Sequence, residues 1–311
     1  MLRVPGLQHS NISTSVSDQL LSTVLRDDAR SVVVVGTAKN VGKTVTLNAL
    51  RAAAFARGVL GGVTSIGRDG EAIDAVDGAP KPAVRLEPGT VVALPRSLLP
   101  VSPGLEILDV GAASALGPIV FARVRFAMTC EIGGPPSARA LRATIERLAA
   151  LSGGVVFVDG AIDRVAPLAG GDDTIVLATG AAYGGSVAQI AAAAGQTIRR
   201  FQLPAYHAGE REGQVVMVRG ALDARRAQSL LTAERAMTVV VADPTRVTVR
   251  GELFDALCAH VDLRCERPLR PVACTTSSFA ADGSLDPAAL TAAVARATGL
   301  PVYDLVARLV A

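Results

Sequence analysis

The sequence lacks the residue types on which many nucleic-acid-binding proteins depend. It has no tryptophan, and aromatic residues make up only 3% of its 311 residues. So few aromatic side chains argue against a platform on which bases stack. The net charge of +3 is also small, and no segment combines clustered arginine or lysine with aromatic residues. We therefore expect no nucleic-acid partner.

Cysteine and histidine are equally scarce. The four cysteines form no C-x-x-C pair, and none of the three histidines has metal-ligand spacing to a cysteine. This pattern predicts reduced, mostly structural thiols in a cytoplasmic protein. The first 30 residues also lack the basic-then-apolar pattern of a signal peptide.

Charged residues are absent from one long stretch, residues 174–198, which spans 25 positions. A stretch of this length could indicate a membrane helix. Its pattern instead predicts a strand, TIVLATG, then a Gly/Ala turn and an alanine-rich helix, SVAQIAAAAG. We expect an internal strand–helix unit here and no contact with a membrane.

The remaining composition is that of a globular protein, with half of the residues hydrophobic and 19% charged. Short apolar runs alternate with helical patterns along almost the whole chain. Runs such as VVVV, VVFV and TVVVA are continuous rather than alternating, which is typical of parallel strands buried on both faces. The sequence therefore predicts an α/β fold with a doubly wound, mainly parallel sheet, whose ligand lies at the carboxyl ends of the strands.

The predicted elements divide the chain into an N-terminal helical extension, residues 1–30, and one domain, residues 31–311. Candidate strands cover residues 31–36, 61–66, 105–110, 119–126, 155–158, 174–178, 215–219, 238–242 and 272–275. Candidate helices cover residues 18–26, 43–57, 137–151, 185–194, 223–236, 251–260 and 287–298. Residues 77–136 interrupt this rhythm, because they are rich in proline and glycine and have no clear helix. We interpret them as an insertion, either a β-hairpin or a cover beside the ligand site.

Lysine is also rare, with three lysines against 28 arginines, and two of the three lie in one loop. The stretch SVVVVGTAKNVGKT places a valine-rich strand before the loop, and VTLNALRAAAFA continues it as a helix. Strand, glycine-bounded loop and helix are the context of a phosphate-binding loop, G-x-x-x-x-G-K-[ST]. Here five residues separate Gly36 from Gly42, one more than in that pattern. The alternative is a chance Gly-Lys-Thr at the start of a helix.

The chemistry of polyphosphate binding assigns roles to the residues of this loop. Glycine allows the backbone to approach the phosphates, and the start of the helix offers unpaired N–H groups and its positive dipole end. Lys43 is a flexible cation for the β- and γ-phosphates, and the Thr44 hydroxyl can bind Mg²⁺. The predicted nucleotide-binding residues are Gly36, Thr37, Lys39, Asn40, Val41, Gly42, Lys43, Thr44 and Val45.

A phosphate loop also needs an acid that orients Mg²⁺ or its waters. Asp159 directly follows the apolar run VVFV, the position of a Walker-B-type acid, and we assign it a catalytic role with Lys43 and a metal-binding role with Thr44. Asp109, which follows LEIL, is the rival candidate. Asp69 and Asp74 follow the second strand, and Asp69 is a further candidate metal ligand. A solvated loop or a capping turn is the alternative role for each aspartate.

The expected cofactors are Mg²⁺ and a nucleoside triphosphate. The sequence has no Asn-Lys-x-Asp motif of the kind that guanine-specific GTPases carry, so we favour ATP, with GTP left open.

Two of these motifs resemble those of dethiobiotin synthetase. GTAKNVGKT is similar to that family's G-T-D-T-x-V-G-K-T loop, including the extra residue between the glycines. VDGA resembles its V-E-G-A strand end, whose acid binds magnesium, and Asp159 matches that acid. The resemblance implies a P-loop NTPase of the class whose members often form homodimers around nucleotide.

A wider set of motifs, from about residue 30 onward, resembles the nucleotide-binding subunit of the lysine 5,6-aminomutase reactivase. The set is GTAKNVGKT, TSIGRDGE, the PKP that follows, VDGAIDR, LATGAA and PVYDL. The resemblance implies a chaperone-like ATPase that works with a MutS-like partner subunit. Its target would be an adenosylcobalamin-dependent aminomutase of lysine or ornithine, from which it releases damaged cobalamin.

Two other functions stay open on the sequence. One is an ATP-dependent ligase or kinase of the dethiobiotin synthetase type, which acts on a small molecule. The other is a binding module that holds nucleotide without hydrolysing it.

Overall fold

The structure is a computed structural model that describes residues 15–25, 29–66, 83–135, 137–160, 168–171, 173–209, 214–233, 237–280 and 283–311. The helices are α1 (Val16–Val24), α2 (Lys43–Ala56), α3 (Ala138–Ser152), α4 (Val187–Phe201), α5 (Ala224–Leu231), α6 (Gly251–His260) and α7 (Pro287–Thr298). The strands of the first half are β1 (Ser31–Gly36), β2 (Gly62–Ser65), β3 (Val84–Leu86), β4 (Val91–Pro95), β5 (Leu105–Ser114), β6 (Gly117–Val124), β7 (Met128–Cys130) and β8 (Val156–Asp159). Those of the second half are β9 (Thr174–Gly180), β10 (Gln214–Val218), β11 (Met237–Val241), β12 (Asp262–Cys265), β13 (Pro271–Ser277), β14 (Phe279–Ala280), β15 (Gly283–Ser284), β16 (Val302–Asp304) and β17 (Leu309–Val310).

A ten-stranded sheet forms the centre of the fold, in the order β17-β16-β13-β9-β1-β8-β2-β4-β6-β5. The strands from β16 to β4 are all parallel, and antiparallel strands lie at the two edges. The predicted α/β class with a mainly parallel sheet is therefore confirmed. Because these parallel strands share one direction, their carboxyl ends form one edge, where a ligand site is expected.

Helices cover both faces of this sheet, which explains the continuous apolar runs. Along β1, Val32 and Val34 pack beneath α1 and α2, while Val33 and Val35 pack beneath α3, α4 and α7. All four valines are fully buried. A strand with no solvent face has no polar positions in its pattern, as the sequence shows.

The N-terminal helix α1 belongs to this core rather than standing apart from it. Ser15 caps the helix by accepting a hydrogen bond from the Asp18 amide at 3.1 Å. Leu20, Leu21 and Val24 are fully buried in the core that α2 shares. The helix thus extends the layer that covers one face of the sheet.

The described part of the proline- and glycine-rich segment continues the central sheet. The two predicted strands are confirmed as β5 and β6, which form an antiparallel hairpin at the sheet edge. The segment also contains β4, parallel to β2, and the pair β3 and β7, none of which the sequence predicted. The idea of a cover beside the ligand site is wrong for this hairpin, because β6 and β5 are the fourth and fifth strands from β1.

A second lobe is formed by β10, β11 and β12 with helices α5 and α6. Its three strands form a separate parallel sheet. It has its own apolar core, in which Phe254 and Leu257 of α6 pack with Val239 of β11. Helix α4 joins it to the central sheet, because the Gln196 side chain exchanges two hydrogen bonds with the backbone of Gly251, at 3.0 and 2.8 Å.

The uncharged stretch at residues 174–198 is a strand, a single 3₁₀ turn and most of α4, as predicted. In the described part of the chain, no helix combines the length and the apolar character that a bilayer crossing requires. All four cysteines are free thiols, and three are buried. Burial raises the pKa of Cys274 to about 12, which makes it an unreactive, packed thiol.

Candidate functional site

The predicted phosphate loop lies at the carboxyl end of the central strand β1. Strands β8 and β9 flank β1 on opposite sides, although both follow it in the chain. Such a change of direction leaves a crevice at the carboxyl end of the strand, where α/β proteins bind ligands. The loop connects Gly36, the last residue of β1, to α2, which begins at Lys43.

The loop folds tightly over Gly36. A Cβ atom at this position would lie 2.9 Å from side-chain carbons of both Lys43 and Val41. Only glycine leaves room for this contact, in which the Lys43 stem crosses the end of the strand. The Lys43 ammonium then donates a hydrogen bond to the Ala38 carbonyl at 3.3 Å, so its charge lies over the loop.

Two residues of the loop adopt left-handed backbone conformations, Asn40 with φ 58° and Gly42 with φ 89°. Left-handed residues within a short loop are typical of the concave backbone arrangements that bind anions. Gly42 also precedes α2 without providing a side-chain cap. The first-turn amides and the positive end of the helix dipole are therefore available to an anion.

The side chains of the predicted loop residues divide into a buried anchor and an exposed set. Val41 is 1% exposed and packs into the core beneath α1 and α2, so only its backbone can serve a ligand. Lys39, Asn40 and Val45 are exposed, and Thr44 is half-buried in the first turn of α2. The predicted nucleotide-binding residues thus surround the start of α2, where Gly36 and Val41 are buried and the others are exposed or half-buried.

Hydroxyl pairs that the sequence analysis did not identify hold the loop in place. Thr46 on α2 and Thr275 on β13 are both buried, and their hydroxyl oxygens lie 2.8 Å apart. Thr37 and Thr179 form a second pair at 3.0 Å, and the Thr37 amide donates to Ala178 at 3.0 Å. Only a run of threonines and serines at the ends of β9 and β13 could have suggested these contacts.

Asp159 lies on the strand next to the loop and faces the helix that starts there. It ends β8 and is paired with Val34 of β1, at a strand spacing of about 4.8 Å. Asp159 and Phe157 are two residues apart, so their side chains share one face of the sheet. Phe157 packs beneath α1 and α2. Asp159 therefore projects from the face of the sheet that is covered by α2, the helix that begins with Lys43 and Thr44.

The backbone around Asp159 is fixed on both sides. Its carbonyl accepts hydrogen bonds from the Ile66 amide at 2.8 Å and the Ser65 hydroxyl at 3.2 Å, and one of its carboxylate oxygens is buried. A Cβ on the following Gly160 would lie 2.8 Å from a Val35 methyl carbon, so the chain turns against β1 where only glycine fits. Asp159 is thus placed by the sheet and not by a mobile surface turn.

The residues present fit a magnesium ion that would be bound partly by the protein and partly by the phosphates of a nucleotide. Thr44 and Asp159 supply hydroxyl and carboxylate oxygens, the donor types that Mg²⁺ prefers. Within the described ranges, no group of three His, Cys, Asp or Glu side chains could hold a metal without further ligands. Phosphate oxygens and waters would have to complete the shell, as is usual for Mg²⁺. The candidate ligand Asp69, like Asp74, lies outside the described residues.

The rival acid Asp109 is not at this site. It lies on β5, five strands or about 24 Å from β1 across the sheet. Its carboxylate is ion-paired with Arg147 at 2.6 Å, and this bond is the main reason that the pKa of Asp109 is lowered. The strand order thus places only Asp159 beside β1, although the two aspartates look alike in the sequence.

Comparisons with protein-family models, curated proteins and solved structures found no match to this chain. The assignments above rest on the residues and geometry of the chain itself. The likenesses to dethiobiotin synthetase and to the aminomutase reactivase stay predictions from sequence motifs.

The contact between Thr46 and Thr275 gives a prediction about how the loop is held. Thr46→Val or Thr275→Val alone should lower the free energy of unfolding by about 1–3 kcal/mol, because each leaves a buried hydroxyl without a partner. The double variant should cost less than the sum of the two, by about 1 kcal/mol, in urea unfolding at equilibrium. As a control, Thr46→Val combined with Thr232→Val in the second lobe should be additive. Additivity of the first pair would show that the hydroxyls are not coupled.

Proposed function

We propose that the chain binds a nucleoside triphosphate with Mg²⁺ on the 36–45 loop and hydrolyses it. One observation carries the proposal: the Lys43 stem crosses Gly36 at the end of β1, and Asp159 on the adjacent strand projects on the same face. A cation, open helix amides and a carboxylate then converge at one end of α2. Phosphoryl transfer requires mainly positioning and charge stabilisation, which these groups provide.

Each residue has a distinct role in this scheme. The Lys43 ammonium exchanges the Ala38 carbonyl for β- and γ-phosphate oxygens, which carry more charge. The first-turn amides of α2 bind phosphate oxygens without reorganisation of the loop. Thr44 and Asp159 would hold Mg²⁺, which when bound neutralises charge on the phosphates.

ATP is the nucleotide that we favour. Asp243, the strand-end acid nearest in form to a guanine-binding aspartate, is fully buried in the second lobe. Its carboxylate accepts hydrogen bonds from the Thr245 backbone and hydroxyl and from Arg267 at 3.2 Å. Because both oxygens of the Asp243 carboxylate already accept hydrogen bonds within the second lobe, they are not available to a guanine base.

Lys43→Ala should reduce nucleotide turnover by on the order of a hundredfold or more, because it removes the cation aimed at the transferred phosphate. Turnover is measured as phosphate release at saturating Mg²⁺ and ATP. Arg57→Ala is the matched control, since it removes an exposed cation from the other end of α2, where Arg57 pairs with Asp18 at 3.0 Å. Equal turnover in the two variants would reject the loop assignment.

Asp159→Asn should weaken the dependence of turnover on Mg²⁺, because a neutral amide binds the ion less well than a carboxylate. We expect the Mg²⁺ concentration for half-maximal turnover to rise about tenfold or more. Asp109→Asn changes the rival aspartate in the same way and should leave the Mg²⁺ titration unchanged. The reverse outcome would move the metal site away from β8.

We further propose that hydrolysis serves the reactivation of an adenosylcobalamin-dependent lysine or ornithine aminomutase, together with a MutS-like partner subunit. The support is the motif set in the sequence, of which VDGAIDR contributes Asp159 and GTAKNVGKT the loop. The second candidate is a ligase or kinase for a small molecule. A small cleft beside Thr37 favours that alternative, because the two arginines that line it could bind the anionic group of a substrate.

One turnover assay separates the two functions. ATP hydrolysis is measured alone, with aminomutase containing inactivated cobalamin plus the MutS-like subunit, and with a panel of small carboxylates and amines. A reactivase should turn over faster with the protein partners and release free cobalamin from the mutase. Rates unchanged by the proteins but raised by one metabolite, with a burst of ADP, would replace reactivation by ligase or kinase chemistry.

A further inference from the structure

A small cleft lies between α4, the phosphate loop and the second lobe. Its volume is about 60 Å³, room for on the order of four water molecules and too little for a nucleotide. Its lining residues are Thr37, Tyr183, Ala193, Gln196, Thr197, Arg200, Val249 and Arg250. None of these described residues is acidic, so two arginines face the cleft without a carboxylate.

Arg200 is the unusual member of this set. Only 8% of the residue is exposed, and its Nε atom is buried with no hydrogen-bond partner. Its Nη1 atom donates one long bond, at 3.4 Å, to the Val247 carbonyl. Burial, together with the nearby charge of Arg250, lowers the pKa of Arg200 to about 10. The surroundings of Arg200 thus disfavour its charged form when no anion is bound.

Another buried arginine of the chain shows what is missing. Arg51, whose side chain is 3% exposed, pairs with Glu87 at 2.7 Å and also bonds Thr90. Within the described residues, Arg200 has no such pair. A buried cation with no counter-charge is costly, and a structural role would be served as well by an apolar side chain.

We propose that this cleft binds the oxyanion of a small molecule, a carboxylate or a phosphate group, between Arg200 and Arg250. A guanidinium matches such a group with parallel N–H bonds. The single long bond that Arg200 donates to Val247 leaves further donors of its guanidinium for a ligand. Tyr183 also lines the cleft. Because Thr37 lines the cleft, the bound molecule would lie next to the phosphate loop. That adjacency to nucleotide rests on the proposed function, whereas anion binding itself does not.

The test is the rise in melting temperature on titration with sodium acetate or inorganic phosphate, at ionic strength held constant with chloride. The two salts separate a carboxylate site from a phosphate site. Arg200→Met retains the apolar stem and removes the charge, and it should weaken the response to at least one salt by about tenfold or more. Arg199→Met is the matched control, because Arg199 is exposed on the same helix and pairs with Asp255 at 2.7 Å.

Two further variants keep the result interpretable. Arg250→Gln, on an exposed side chain, should weaken the same response if Arg200→Met does not fold. Lys43→Ala should lose nucleotide binding but retain the Arg200-dependent response, so the two sites can fail separately. The proposal is overturned if neither salt produces a response that the Arg200 or Arg250 variant removes and the Arg199 variant retains.

Discussion

The candidate site depends on one close approach, the contact of the Lys43 and Val41 side chains with the bare backbone of Gly36. Any side chain at Gly36 would occupy the space of the lysine stem. A larger residue could not be accommodated there, because β1 is buried on both faces and cannot shift to relieve a clash. Val41 then fixes the loop to the core, so the loop amides and the ammonium are held in place before any ligand arrives.

The elements that were best predicted are those whose signals are local. Strand 31–36 and helices 251–260 and 287–298 have the predicted bounds. A valine run marks the strand, and Asp286 and Pro287 mark the start of the last helix, all of them local signals. Among the strands that were missed, β12 contains two charged residues in four, and β4 has a continuous apolar run but lies inside the proline- and glycine-rich segment, which hid it. The sequence also did not reveal that β10 to β12 leave the central sheet, since strand patterns do not encode which strands pair.

In the candidate site, too, the features with local signals could be predicted and those that depend on the arrangement of strands could not. The strand, the loop and the helix that begins at Lys43 could be predicted because their glycines and apolar runs are local signals, while phosphate binding by this loop stays a prediction. The choice between Asp159 and Asp109 required the strand order, which places one beside β1 and the other at the sheet edge. Thr275 and Arg200 could not be predicted, because each acquires its role from a residue far away in the chain, Thr46 in one case and Arg250 in the other.

The balance of energies at Arg200 also favours a bound anion over a purely structural role. Arg200 lies in the last turn of α4, where the negative end of the helix dipole stabilises a cation by at most about 2 kcal/mol. The cost of removing a charged group from water is several kcal/mol even after relaxation, and Arg250 adds repulsion. The dipole alone is therefore too weak to compensate, and the Phe201 ring, whose centre is 5.7 Å from the guanidinium carbon, adds a cation–π contact but no counter-charge. Since α4 also contacts the second lobe through Gln196 and Arg199, an anion in the cleft would strengthen the junction between that lobe and the 36–45 loop.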